Sequence, residues 1–213
     1  MPPEETVVYA EDFAAPPGSA FPEWAALGYA YSGNGMQGSG VLPVTNVEAP
    51  NGERFLGEFG GPQIVTGRPF VRVTDGVTLT LGHLPPHASV TLAYDLLILK
   101  SWDGNSPQYG PDRFALRVVG GPTLLDTSFS NNKKLASDGS YQDYPAPGSA
   151  PQTGATAIDR LGYRFFGDSI YALRCTFPHS ADTLALEFAS DLYEGKGTED
   201  ESWGLANVRV TVG

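Results

Sequence analysis

Short segments in which apolar and polar residues alternate, each closed by Gly, Pro, Asn or Asp, recur from one end of this chain to the other. "TVVYAEDF", "GYAYS", "ERFLGEFG", "PFVRV" and "VTLTL" precede the longest, "SVTLAYDLLIL", and "RFALRVV", "TLLDTSFS", "RLGYRFF", "SIYALRCTF", "TLALEFAS" and "WGLANVRVTV" follow it. A period of two sends successive side chains to opposite faces of a sheet. In "RFALRVV", Phe114, Leu116 and Val118 point one way and Arg113, Ala115 and Arg117 the other. No segment carries sustained helical periodicity with caps. Roughly a dozen strands are too many for one open sheet, so two packed antiparallel sheets are expected. The 26 glycines and 18 prolines suit many turns. The 213 residues allow one β-sandwich domain over residues 1–213. Its one long irregular stretch is a loop at about residues 131–158, rich in Ser, Gly, Pro, Asp and Tyr.

A formal charge of −11 argues against nucleic-acid binding, which needs a basic footprint, and suits a solvated extracellular surface or a cation binder. No apolar run is long enough to cross a membrane, so no membrane insertion is expected. "MPPEETVVYA" lacks a basic start followed by an apolar stretch, so no signal peptide is visible. Cys175, alone in the chain and in phase with Tyr171, Leu173 and Phe177, reads as a small core residue.

The segment "LLILKSWDGNSPQYGPDRFALRVV" sets two strand patterns around a loop that gathers aromatics and oxygen donors. Asp103, Asn105 and Asp112 are suitable calcium ligands, since calcium takes six to eight oxygens in irregular geometry. The same residue types are ordinary turn formers. The acidic run "TEDESW", with Glu199, Asp200 and Glu201, joins the set if it lies at the same end. Sugars bind on aromatic platforms beside a few polar groups, and Trp102, Tyr109, Tyr141 and Tyr144 are candidates. Trp24 and Trp203 adjoin apolar strands and read as core. His83, His87 and His179 fall in turns, no serine or cysteine stands in a nucleophile elbow, and Glu58, Asp95 and Glu187 are the acids a glycosidase would have to use. Arg72, Arg113, Arg117, Arg164, Arg174 and Arg209 lie at solvent-phase positions, where they either pair with acids across strands or hold the carboxylate or sulfate of an acidic polysaccharide.

The opening "YAEDF" and closing "WGLANVRV" resemble the paired terminal strands of jelly-roll modules: MAM domains, many carbohydrate-binding modules and other concanavalin-like sandwiches. "YDLLILKSWDGN…GPDRFALRV" is similar to modules of secreted bacterial proteins with a "DLYIIDSWDGN" type segment. The resemblance implies a two-sheet antiparallel jelly-roll sandwich with a structural calcium, held by acids of the first strand, here Glu11 and Asp12, and by the last-strand motif. In that motif Ala206 stands where the family carries Asp and leaves Asn207, and Lys100 replaces the acid before "SWDG". The expected role is non-catalytic binding of a carbohydrate or cell-surface glycan, outside the cell or on its surface, as a monomer or as a module of a larger protein. A glycan hydrolase or lyase on the same fold and a structural or adhesive module are the alternatives.

Overall fold

The computed structural model describes residues 5–32, 35–60, 76–133, 139–192 and 198–213. Twelve strands occur among them: β1 (Thr6–Glu11), β2 (Ala20–Ser32), β3 (Gly35–Glu48), β4 (Arg54–Phe59), β5 (Gly76–Leu81), β6 (Ser89–Lys100), β7 (Arg113–Val118), β8 (Thr123–Ser128), β9 (Ala157–Ile158), β10 (Asp168–Pro178), β11 (Leu184–Asp191) and β12 (Glu201–Val212). The fold is all-β and antiparallel, a single domain. Its two layers belong to one strongly curled sheet of order β8-β7-β11-β5-β2-β3-β4-β12-β6-β10-β9. The curl passes through β3, whose Gly35–Thr45 part pairs with β2 and whose Asn46–Glu48 part pairs with β4. Aromatic side chains pack across the interior, with the rings of Phe114 on β7 and Trp203 on β12 centred 5.1 Å apart and those of Tyr94 on β6 and Phe188 on β11 5.4 Å apart.

The terminal strands pair as their sequences imply. β1 runs antiparallel to β12 with Glu11 opposite Val208, and it continues the edge of β12 that β4 covers from Trp203 to Leu205. An otherwise open row of backbone groups is thereby closed. Trp24 and Trp203 are core residues, and Cys175 packs against the core with burial raising its thiol pKa.

"PFVRV" lies outside the described residues. One strand expectation differs. "RLGYRFF" is an irregular turn, because the Asp168 carboxylate accepts from the backbone N–H groups of Arg160 (2.9 Å) and Leu161 (3.0 Å). These local bonds compete with a strand ladder. Leu161 is buried in a small second core with Phe55, Leu97, Leu99 and Ile170, which anchors the turn.

The irregular stretch between β8 and β10 is held in place where it is described. Gln142 is fully buried, and its Oε1 accepts from Ser130 N, Gln152 N and the Tyr171 hydroxyl, while its amide donates to the carbonyls of Tyr144 and Thr153. One side chain thus satisfies backbone groups that no sheet reaches.

Candidate metal centre

The β6–β7 loop is held by backbone hydrogen bonds, within itself and to the segment that follows β8. Asp103 forms an isolated bridge with Ser130, Asn105 N–H donates to Tyr141 O (2.7 Å), and Asp112 N–H donates to Gly104 O (2.9 Å). Gly104 is required at this crossing. It has φ +60°, and a Cβ there would lie 2.3 Å from Tyr141 O and 2.9 Å from the Ser130 Cβ. Gly104→Ala is expected to cost about 2 kcal/mol or more, from left-handed strain and this clash, read as a fall in thermal midpoint. An unchanged midpoint would mean that the loop does not need this approach.

The other wall comes from β12. Pairing of β6 with β12 sets Glu201 opposite Lys100 and Ser202 opposite Leu99. Ser101 N–H and Oγ donate to Asp200 O, Oγ also reaches Asp200 Oδ1 (2.7 Å), and the Trp102 indole N–H donates to Ser202 O (2.8 Å). This register brings Asp103, Asp112 and Glu201 together in the interior, each offering a carboxylate oxygen within 4.8 Å of the others. Around them, Asp103 N–H donates to Asp112 Oδ2 and the Asn132 amide to Asp103 Oδ1 (2.6 Å).

Three carboxylates cannot all be ionised in this setting without a cation. Burial, followed by the charges of Asp112, Asp200 and Asp103, pushes the Glu201 carboxyl up to about 10, and it shares a hydrogen bond with Asp112. Glu201 is 2 % exposed, yet its Oε1 has no hydrogen-bond partner. A buried polar atom without a partner is costly. Oxygens around one calcium at about 2.3–2.6 Å lie at most about 5 Å apart, so the donor set fits a hard divalent cation in both chemistry and spacing.

The other expected ligands have hydrogen-bond partners of their own. Glu11 and Asp12 accept from the N–H groups of Phe13 (3.0 Å) and Ala14 (2.9 Å), turn contacts at a point seven residues from Glu201 along β12, roughly 20 Å. Asn207 donates to Asp95 Oδ2 (2.7 Å) and Asn105 to Asp143 Oδ1 (2.8 Å). Lys100 ion-pairs with Glu58 (2.7 Å), donates to Thr198 O, and lies 5.3 Å from the centre of the Tyr163 ring.

The four aromatic candidates divide. Trp102 is fully buried beside the acidic cluster and presents no face to solvent. Tyr144 packs on Phe129 and Tyr171, with ring centres 5.1 and 5.5 Å apart. Tyr109 and Tyr141 are exposed, at 36 % and 43 %. A tryptophan in a loop suggests a platform, but this loop folds inward and Trp102 joins the main core.

The acids a glycosidase would need do not face one another. Glu58 is held by Lys100, by the Tyr163 hydroxyl (2.6 Å) and by Ser202 (3.0 Å), and Glu187 pairs with Arg117 (2.7 Å) in the other layer. Asp95 lies five residues from Lys100 along β6, roughly 17 Å. The turn histidines include a pair: His87 Nε2 and His179 Nδ1 are 2.8 Å apart, and burial, then His87, lowers the His179 pKa. His83 is exposed.

No known protein-family model matches this chain, and no curated protein matches it in sequence. Among solved structures it is similar to the C-terminal CBM6 carbohydrate-binding module of LamC, a marine laminarinase from Zobellia galactanivorans. The identity is 12 % and the TM-score 0.35, over 79 % of this chain and 87 % of that one.

Proposed function

We propose that this chain is a non-catalytic carbohydrate-binding module that acts outside the cell or at its surface, with a calcium ion stapling its β6–β7 loop to the start of β12. The observation that carries the reading is the burial of the convergent acids. Asp103, Asp112 and Glu201 are closed off from any sugar-sized molecule, so their shared chemistry is cation binding and not attack on a glycosidic bond. Bound there, calcium would neutralise the cluster, engage the unpartnered Glu201 Oε1 and hold two segments that are far apart in the chain. The exposed surface offers aromatic rings on anchored loops, Tyr109 and Tyr141 among them, which suits the C–H faces of sugars.

The test is retention on immobilised polysaccharides with calcium present, together with a reducing-end assay on the same substrates. The expected result is saturable retention of at least one glycan, with no new reducing ends and weaker retention in chelator. Release of reducing ends, lost in Glu58→Gln or Asp95→Asn, would favour the hydrolase alternative. Failure to bind any glycan would favour a structural or adhesive module.

A further inference from the structure

Of the six arginines that the sequence places at solvent-phase positions, three are neutralised in the fold. Arg113 pairs with Asp126 (2.7 Å) and Asp143 (3.6 Å), Arg117 with Glu187 (2.7 Å), and Arg174 with Glu5 (3.7 Å). Arg72 lies outside the described residues. Arg164 and Arg209 form no ion pair among the described residues. The two differ in setting, because Arg209 projects from β12 whereas Arg164 lines a cavity of about 380 Å³ with Asn131, Lys133, Asp159, Tyr163 and Phe166. That volume is within the range of small-ligand sites.

The cavity wall is built from the Arg160–Gly167 turn, whose position is set by the Asp168 carboxylate and by buried Leu161. On this anchored turn Phe165 is 79 % exposed and Phe166 40 %, with Ile158 exposed nearby in sequence. Phe166 has φ +56°, a conformation that is rare for a bulky residue and is often kept where a side chain must be presented. The Tyr163 ring is fixed by its hydroxyl bond to Glu58 and by the Lys100 ammonium. Lys133 ion-pairs with Asp159 (2.6 Å), so the lining holds two cations against one acid in a chain of net charge −11.

We infer that this cavity binds an acidic saccharide, with Arg164 holding its carboxylate or sulfate and Phe166 covering the C–H face of the sugar ring. A planar guanidinium donates two parallel hydrogen bonds to either anion, and an aromatic ring beside it adds apolar contact that a free inorganic anion does not use. The inference rests on the binding-module reading and gives it a ligand class and a location.

The experiment is calorimetric titration of the calcium-loaded chain with oligogalacturonate, with a sulfated galactan oligosaccharide and with a neutral β-glucan oligosaccharide. Variants Arg164→Ala, Phe166→Ala, Arg209→Ala and Tyr109→Ala are titrated in parallel. One of the acidic oligosaccharides should bind at least tenfold more tightly than the neutral one, and which of them does so separates carboxylate from sulfate recognition. Arg164→Ala and Phe166→Ala should each weaken that binding by tenfold or more, while Arg209→Ala leaves it within twofold. All four positions are exposed or line the cavity, so each variant should keep the parent's thermal midpoint. Loss in Tyr109→Ala without loss in Arg164→Ala would move the site to the tyrosine-bearing loops, and preference for the neutral sugar would remove the acidic class. Either result overturns this assignment and leaves the binding-module reading standing. No binding of any oligosaccharide overturns both.

Discussion

Replacing Trp102 by alanine is expected to lower the unfolding free energy by about 4 kcal/mol, the range for truncating a fully buried large aromatic. The side chain has no exposed surface, and its indole N–H is bonded to Ser202 O. The variant therefore leaves both a cavity and a buried carbonyl without its donor. Against a total stability of about 5–15 kcal/mol this is a large share, visible in urea or thermal denaturation. Trp102→Phe should cost less, because it keeps most of the volume and loses the hydrogen bond. A Trp102→Ala protein of parental stability that had lost glycan binding would overturn this placement, since an exposed sugar platform behaves in that way.

Calcium is expected to raise the thermal midpoint of the parent chain, and the rise should grow with pH. At about one hundred times the dissociation constant, a ligand of the folded state adds about 3 kcal/mol, or roughly 5–10 °C for a chain of this size. The pH dependence follows from Glu201, whose carboxyl stands at about 10 in the metal-free fold against an ordinary value of 4.5. A raised folded-state value means that the folded protein keeps a proton the unfolded chain releases. That contribution is fully present below about pH 4.5 and is lost as pH rises toward 10. The metal-free chain should therefore lose stability between pH 5 and 9, while calcium, which must displace the proton, stabilises more strongly over the same interval. Glu201→Gln should flatten the metal-free profile and abolish the calcium response, and Asp103→Ala should abolish that response too. A calcium response that survives both variants would place the ion elsewhere.

The two halves of this cluster differ in how far the chain discloses them. Asp103 and Asp112 share a loop whose residue types suit calcium, so local chemistry was enough to mark them. Glu201 stands almost ninety residues beyond Asp112, in an acidic run that reads equally well as a solvated surface. What places it is the pairing of β6 with β12, which sets Glu201 opposite Lys100. That register depends on contacts distant in sequence, and an alternating pattern says which face a residue occupies but not which strand lies beside it.

Trp203, Trp24 and Cys175 were legible as core because each adjoins or belongs to an alternating strand, and the paired termini were legible from their motifs. Trp102 was not, since a tryptophan in a loop faces solvent or core according to how the loop folds. The Arg160–Phe166 segment shows the converse, for its alternation suggests a strand that two bonds to the Asp168 carboxylate prevent. The all-β class, most strands and the inward faces follow from local signals, a two-residue period and turn chemistry. That the layers form one curled sheet, that Glu201 completes the acidic cluster, and that Arg164 and Phe166 share a cavity are set by the folded arrangement. Each of those depends on long-range strand pairing and on which polar groups are left to satisfy one another once the core has closed.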